Sequence, residues 1–419
     1  MQMTASKESI PRLTEEPAWG MRSHTVPILA LALLLRLLIL WFVIARFPHT
    51  WLYSHGIELG TLAQSLAAGQ GLSSPFGGAT GPTALLAPGY PAIIALFFRI
   101  CGSFTFTAAI AIMTMQLLFS LLTVLCILHV GRQAFGLRTA NLSGLFWAVS
   151  LPLIWMPTIF WETCLSTLLL VGLVALALYC ERRPSGALWA VMGAYSGLAG
   201  LINPSLLPAL LTLMGWAAWQ TRKTLWYFPV ALLALCMVYV PWPIRNAHVL
   251  HAFVPLRSTV GFELWVGNRS GASGFLDESQ FPIFNQWEYD QYVSKGEVAY
   301  MRDKSALAKA YIRAHRSVFL RLSSVRLFRF WTGTGNKHGS LFFTLHAVLT
   351  SSLGMLGIWR LVREGRLRLA ALFLLPLIVF PLPYYITHAE FRYRLVVDPL
   401  LTILAAFALT SFRDDAEKR

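Results

Sequence analysis

Long apolar runs, separated by short basic stretches, fill most of the chain. Ten of them, near 27–47, 105–130, 139–157, 163–180, 186–202, 205–220, 225–243, 340–360, 368–386 and 395–412, read as membrane-crossing helices. A crossing needs about 20 mostly apolar residues. The pattern predicts an all-α polytopic membrane protein with about ten transmembrane helices. The first run is too long for a cleaved leader, carries Arg36, and has no small-residue cleavage site after it. A further run, Pro88 to Gly102, contains Pro91 and Arg99 and is short for a crossing. It suits a helix lying in the membrane interface. The stretch 244–338 is too long for a structureless connection. Within it, Leu307, Tyr311, Ala314 and Val318 fall at helical spacing, with Lys309, Arg313 and Arg316 on another face. The basic, aromatic run Phe319–Trp331 is expected to lie against the outer membrane surface.

Composition narrows the class. Of 419 residues, 56% are hydrophobic and 13% charged, and the mean hydropathy is +0.59. A soluble domain carries about 25% charged residues, so a disordered chain and an ordinary cytosolic enzyme are excluded. The net charge of +15 does not imply a nucleic-acid partner, because Lys and Arg beside apolar spans mark the cytoplasmic side of a membrane. With 88–102 not crossing, Arg132, Arg138, Arg182, Arg183, Arg222, Lys223, Arg360, Arg363, Arg366 and Arg368 all fall on one side. Lys7, Arg12, Arg22, Arg413, Lys418 and Arg419 share that side. Both termini are therefore expected in the cytoplasm of a multi-pass plasma (inner) membrane protein. The regions 48–104, 244–338 and 387–394 then face outward, with Trp51, Trp161, Trp242 and Trp331 as an outer aromatic belt. Three parts follow: a membrane module 1–243 holding the first outer loop, an extracytoplasmic region 244–338, and C-terminal spans 339–419. The five cysteines show no Cys-x-x-Cys spacing, so neither a zinc site nor a disulfide framework is indicated.

Ionisable groups at a membrane edge are costly and point to function. Four acids lie outside both the cytoplasmic loops and the long outer loop: Glu58, Glu162, Glu390 and Asp398. Glu58 opens a short helix that stops at Gly69-Gln70-Gly71. It fits either a helix acid favoured by the dipole or a functional carboxylate. Glu162 fits an interfacial cap or a second rim carboxylate. Two such acids on one side can divide the work of general base and substrate orientation. His388, Arg392 and Arg394 crowd the last outer turn, against the positive-inside rule, and Arg245 stands at another outer span end. They fit head-group anchors or a pocket for a phosphate on a lipid carrier. No nucleotide-binding loop or His-Glu-x-x-His motif is present.

Several pieces resemble the GT-C superfamily of membrane glycosyltransferases, in particular the protein-mannosyltransferase, aminoarabinose-transferase and Rgt-like types. They are Glu58 to Ala67 with Gly69-Gln70-Gly71; Gly81-Pro82-Thr83-Ala84 with Pro88-Gly89-Tyr90-Pro91; Trp161-Glu162-Thr163; Pro241-Trp242 with Arg245-Asn246; Leu264 to Asn268; and Arg392-Tyr393-Arg394. The resemblance implies a GT-C-like fold with interfacial helices in the first outer loop. It implies Glu58 and Glu162 as catalytic acids, and Arg245, His388, Arg392, Arg394, Tyr90 and Asn268 as substrate-binding groups. It implies a polyprenyl-phosphate sugar as donor and a lipid, glycan or protein as acceptor. The expected activity is an inverting sugar transfer on the extracytoplasmic face. A transporter or flippase for a lipid-linked saccharide, drawing on Arg36 and Asp398, is the alternative. No cofactor or metal is expected, although two carboxylates could hold a divalent cation weakly.

Overall fold

The structure, a computed structural model, describes residues 19–46, 57–219, 222–334 and 341–417. Lys7, Arg12, Trp51, Lys418 and Arg419 lie outside them. The elements of the N-terminal half are α1 (Trp19–Arg46), α2 (Ile57–Ala67), α3 (Gly89–Cys101), α4 (Phe106–Phe135), α5 (Leu137–Val149), α6 (Leu151–Trp155), α7 (Thr163–Arg182), α8 (Gly186–Ile202), α9 (Leu207–Trp219), α10 (Phe228–Tyr239) and α11 (Pro241–Leu250). Then come α12 (Val260–Asn268), α13 (Gln286–Lys295), α14 (Glu297–Ala314), α15 (Arg316–Thr332), α16 (Leu341–Arg363), α17 (Leu367–Val379), α18 (Leu382–Ile386), α19 (Phe391–Leu395) and α20 (Asp398–Glu417). Among the described residues the only β-pairing is an isolated bridge between Ser73 and Pro82.

All ten predicted runs are helical, but they differ in length. Among the described residues, six stretches are long and apolar enough to cross a membrane: His24–Arg46, Phe106–Phe135, Thr163–Arg182, Leu225–Leu250, Leu341–Arg363 and Leu367–Ile386. A seventh exists if α5 and α6, bent by 64°, form one span. The runs at 186–202, 205–220 and 395–412 appear as helices of 10–17 residues, so length alone does not reach ten crossings. The 13-residue α3 is likewise short, as its sequence predicts.

Arg36 stabilises the bend. Ser150 and Pro152 break the helix, and the break strands carbonyls that hydrocarbon cannot solvate. The fully buried Arg36 donates to the carbonyls of Trp147, Ala148 and Leu153, and to Ser120 Oγ at 2.7 Å. Elsewhere small residues let backbones meet. At Gly193, where α8 crosses α10, an added Cβ would stand 1.9 Å from the Ala231 carbonyl oxygen.

The basic loops assigned to one side do share one end of the bundle. Arg182 and Arg366 donate to the carbonyls of Gln133 and Ala134 at the end of α4, and Arg368 pairs with Glu181. Cations there satisfy helix-end carbonyls. At the opposite end, the loop after α2 is pinned between bundle and long loop. Leu72 and Ala84 pack with Tyr239 and Trp242, while Phe76 and Leu85 pack with Phe262, Tyr292 and Tyr300. Glu297 fastens it, accepting from Thr83 Oγ1, from the Ala84 amide at 2.8 Å and from Tyr292 at 2.8 Å. The long loop is helical, but α14 buries Tyr300, Met301, Lys304 and Ala308. Leu307, on the expected apolar stripe, is 55% exposed. The buried Glu288–Lys304 pair sets the inward face, and it outweighs that stripe.

Candidate functional site

The pinned end encloses a cavity of about 580 Å³. Its walls come from the start of α2, residues 85–87 with the start of α3, the 161–162 turn before α7, the 202–208 turn, the segment 256–263, the stretch 276–284 and the turn 383–393. Glu58, Tyr90, Glu162, His388 and Arg392, five of the eight residues singled out in the sequence, line it.

Glu58 sits in the first turn of α2, whose position the first loop fixes: Thr61 Oγ1 donates to the Pro75 carbonyl at 2.5 Å. Burial pushes the Glu58 carboxyl above its ordinary range, and the neighbouring charge of Glu263 adds to this. Arg392 and Arg257 partly offset both. A carboxyl treated this way is a stronger base than a free glutamate.

Arg392 is held between rings. Its guanidinium carbon lies 4.3 Å from the Trp161 ring centre and 4.8 Å from that of Tyr393. Its one hydrogen bond to protein among the described residues goes to the Tyr393 hydroxyl, at 3.2 Å. Burial works against its charge, but Tyr393, Glu162 and Glu390 outweigh that and keep the group firmly cationic. No carboxylate stands within ion-pair distance of it among the described residues. A half-buried guanidinium with open donors is a ready anion site.

His388 stands beside Arg392, on the same turn. Its Nε2 lies 3.0 Å from the Tyr393 hydroxyl, and its Nδ1 lies 3.1 Å from Glu263 Oε2 without hydrogen-bond geometry. Burial lowers its pKa to about 4, so the ring is neutral at physiological pH. Burial likewise raises Glu263, against the pull of Arg257 and Arg392.

Three expected residues lie apart from the cavity. Arg394 is two positions from Arg392 in the five-residue α19 and points the other way. It pairs with Asp398 and donates to Thr350 and Ser351, fully buried. Arg245 donates to the carbonyls of Thr83 and Leu72 at 2.7 and 3.0 Å, so it braces the first loop. Asn268 donates to the carbonyls of Leu264 and Ile386 and accepts from Arg326, joining α12, α15 and α18. In their place the structure brings in Arg257, Glu263, Tyr384 and Tyr393. Glu263 carried a signal, as a lone acid in the apolar run Val260–Val266; Arg257 carried none. Among the described residues no three His, Cys, Asp or Glu side chains gather closely enough to hold a metal ion.

Fold and cavity together define a polytopic helical membrane protein with a cavity at one end of its bundle, and the fold is that of solved oligosaccharyltransferase structures. No family model and no curated protein matches the chain. Solved structures do. The oligosaccharyltransferase of Archaeoglobus fulgidus in its apo form matches with a TM-score of 0.56 and 14% identity, over 95% of this chain and 52% of that one. The same enzyme, AglB, in complex with an inhibitory peptide and a dolichol-phosphate matches with a TM-score of 0.54, again at 14% identity, over 95% of this chain and 51% of that one. The chain thus spans about half the length of that relative. A looser likeness, TM-score 0.41 and 14% identity over 96% of this chain and 80% of the other, joins it to ArnT from Cupriavidus metallidurans bound to undecaprenyl phosphate.

Proposed function

We propose that the protein is a membrane glycosyltransferase. It moves a sugar from a polyprenyl-phosphate carrier to an acceptor hydroxyl on the extracytoplasmic face, with inversion. One observation carries the reading: a half-buried, open-handed Arg392 and the basic carboxylate Glu58 line one cavity. The GT-C fold supports it, and a lipid-borne donor explains a site at the end of a membrane bundle.

In this mechanism a Glu58 oxygen takes the acceptor proton as the acceptor oxygen bonds to the sugar C1. The C1–phosphate bond breaks, and its electron pair leaves with the polyprenyl phosphate. Arg392 takes up the charge that develops there. The rings of Trp161 and Tyr393 hold Arg392 in place, and the charge of Glu162 favours its cationic form. Phosphate is a good leaving group, so no general acid is required. Proton and negative charge end on Glu58 and on the carrier.

The transport reading loses its two ionisable groups. Arg36 is tied to helix carbonyls, and Asp398 to Arg394 and His346. Transfer from a polyprenyl-phosphate sugar in liposomes is the test. Glu58→Gln is expected to lower turnover by about 10²–10⁴-fold, and Arg392→Ala to weaken both binding and turnover. Full turnover in both variants would refute the assignment.

A further inference from the structure

Arg392 is one of two guanidiniums in the cavity. The other, Arg257, lies in the connection between α11 and α12 and has no part in the mechanism above. Its Nε donates to the Leu85 carbonyl at 3.2 Å, which fixes the direction of the side chain. Its terminal nitrogen stands 3.8 Å from Glu263 Oε1. That is beyond hydrogen-bond length. The end of the fork therefore keeps open donors, and its side chain remains 28% exposed.

The two groups belong to different segments of the lining. Arg392 packs on Trp161, next to the start of the membrane span α7. Arg257 belongs to chain that follows the span ending at Leu250, beside Leu256 and Val260. One acid, Glu263, stands at ion-pair distance from Arg257, and the remaining donors of the fork are open to a second anion.

We infer that Arg257 is a second anion-binding position, which recognises a phosphate or carboxylate group on the substrates other than the phosphate held by Arg392. The inference rests on the glycosyltransferase reading. It names the substrate class further: the substrates together carry a second anionic group.

Binding to the full-length protein in lipid nanodiscs tests this, with undecaprenyl phosphate, undecaprenyl diphosphate and inorganic phosphate as probes. Arg392→Gln should weaken undecaprenyl phosphate about tenfold, the loss of a charge-assisted contact, while Arg257→Gln leaves it within about twofold. That second result also shows an intact cavity. With undecaprenyl phosphate saturating, inorganic phosphate should still bind, and Arg257→Gln should weaken it about tenfold, with Arg257→Lys between. If the diphosphate binds about tenfold tighter than the monophosphate and Arg257→Gln removes the difference, the site stands and the second anion is the carrier's own. Unchanged binding of phosphate and diphosphate in Arg257→Gln would overturn the proposal. So would a loss of undecaprenyl phosphate equal to that in Arg392→Gln, because the two arginines would then form one site. If Arg392→Gln itself leaves undecaprenyl phosphate unaffected, the reading of Arg392 fails independently of Arg257.

Discussion

Glu58 carries opposite demands. Its burial beside Glu263 makes it a better proton acceptor and costs stability whenever it is ionised. The sign follows from linkage. A carboxyl raised above its ordinary 4.5 contributes stability in full below that pH and loses it as pH rises through the native value. Glu58→Gln should therefore be more stable than the natural protein at pH 7–8, an advantage that vanishes below about pH 4.5, while transfer is lost. Thermal unfolding in detergent across pH reads this out. His388 acts in the other direction. Its pKa of about 4, against an ordinary 6.5, means that stability falls as pH drops through that interval. The sequence shows which charged residues gather at a span end, but it does not show which way they point. Arg392 and Arg394 are equivalent by position and residue type. Only the buried Asp398, one turn on from Arg394, separates them. Arg245 likewise reads as a ligand group until the turn-rich loop it braces is folded around it.

At the scale of elements, apolar runs were legible because hydrocarbon demands continuous helix. Crossing number was less so, since helices of 10–17 residues are allowed inside a bundle where neighbours cover them. The bend between α5 and α6 could be read from Ser150 and Pro152, but not its partner: Arg36 lies more than a hundred residues away in sequence. The face of α14 was misjudged for a similar reason, because a buried ion pair with Glu288 fixes Lys304 inward. Close helix crossings give a sharp test. Gly193→Leu places side-chain atoms where the Ala231 carbonyl now stands, so α8 and α10 must separate. The variant should lose about 3 kcal/mol or more, by the cost of overpacking a tight contact. Gly215→Leu, with open space at its Cβ, should lose far less. Unfolding of the two variants in the same detergent compares them directly.

For the whole molecule, charge divides between the two ends of the bundle. Basic loops meet at one end, as their placement in the sequence predicts, and Glu58, Glu162 and Glu390 line the cavity at the other, while Asp398 is buried with Arg394. The cavity itself is not readable in the sequence, because it forms where segments spread over more than three hundred residues converge. Its chemistry, not the +15 of the chain, defines what it holds. Mass spectrometry of lipid that purifies with the protein tests the central claim most directly. The account predicts a polyprenyl-phosphate species, with or without its sugar, bound to the natural protein and depleted in Arg392→Gln. Membrane phospholipid alone, or equal carrier occupancy in both proteins, would contradict it.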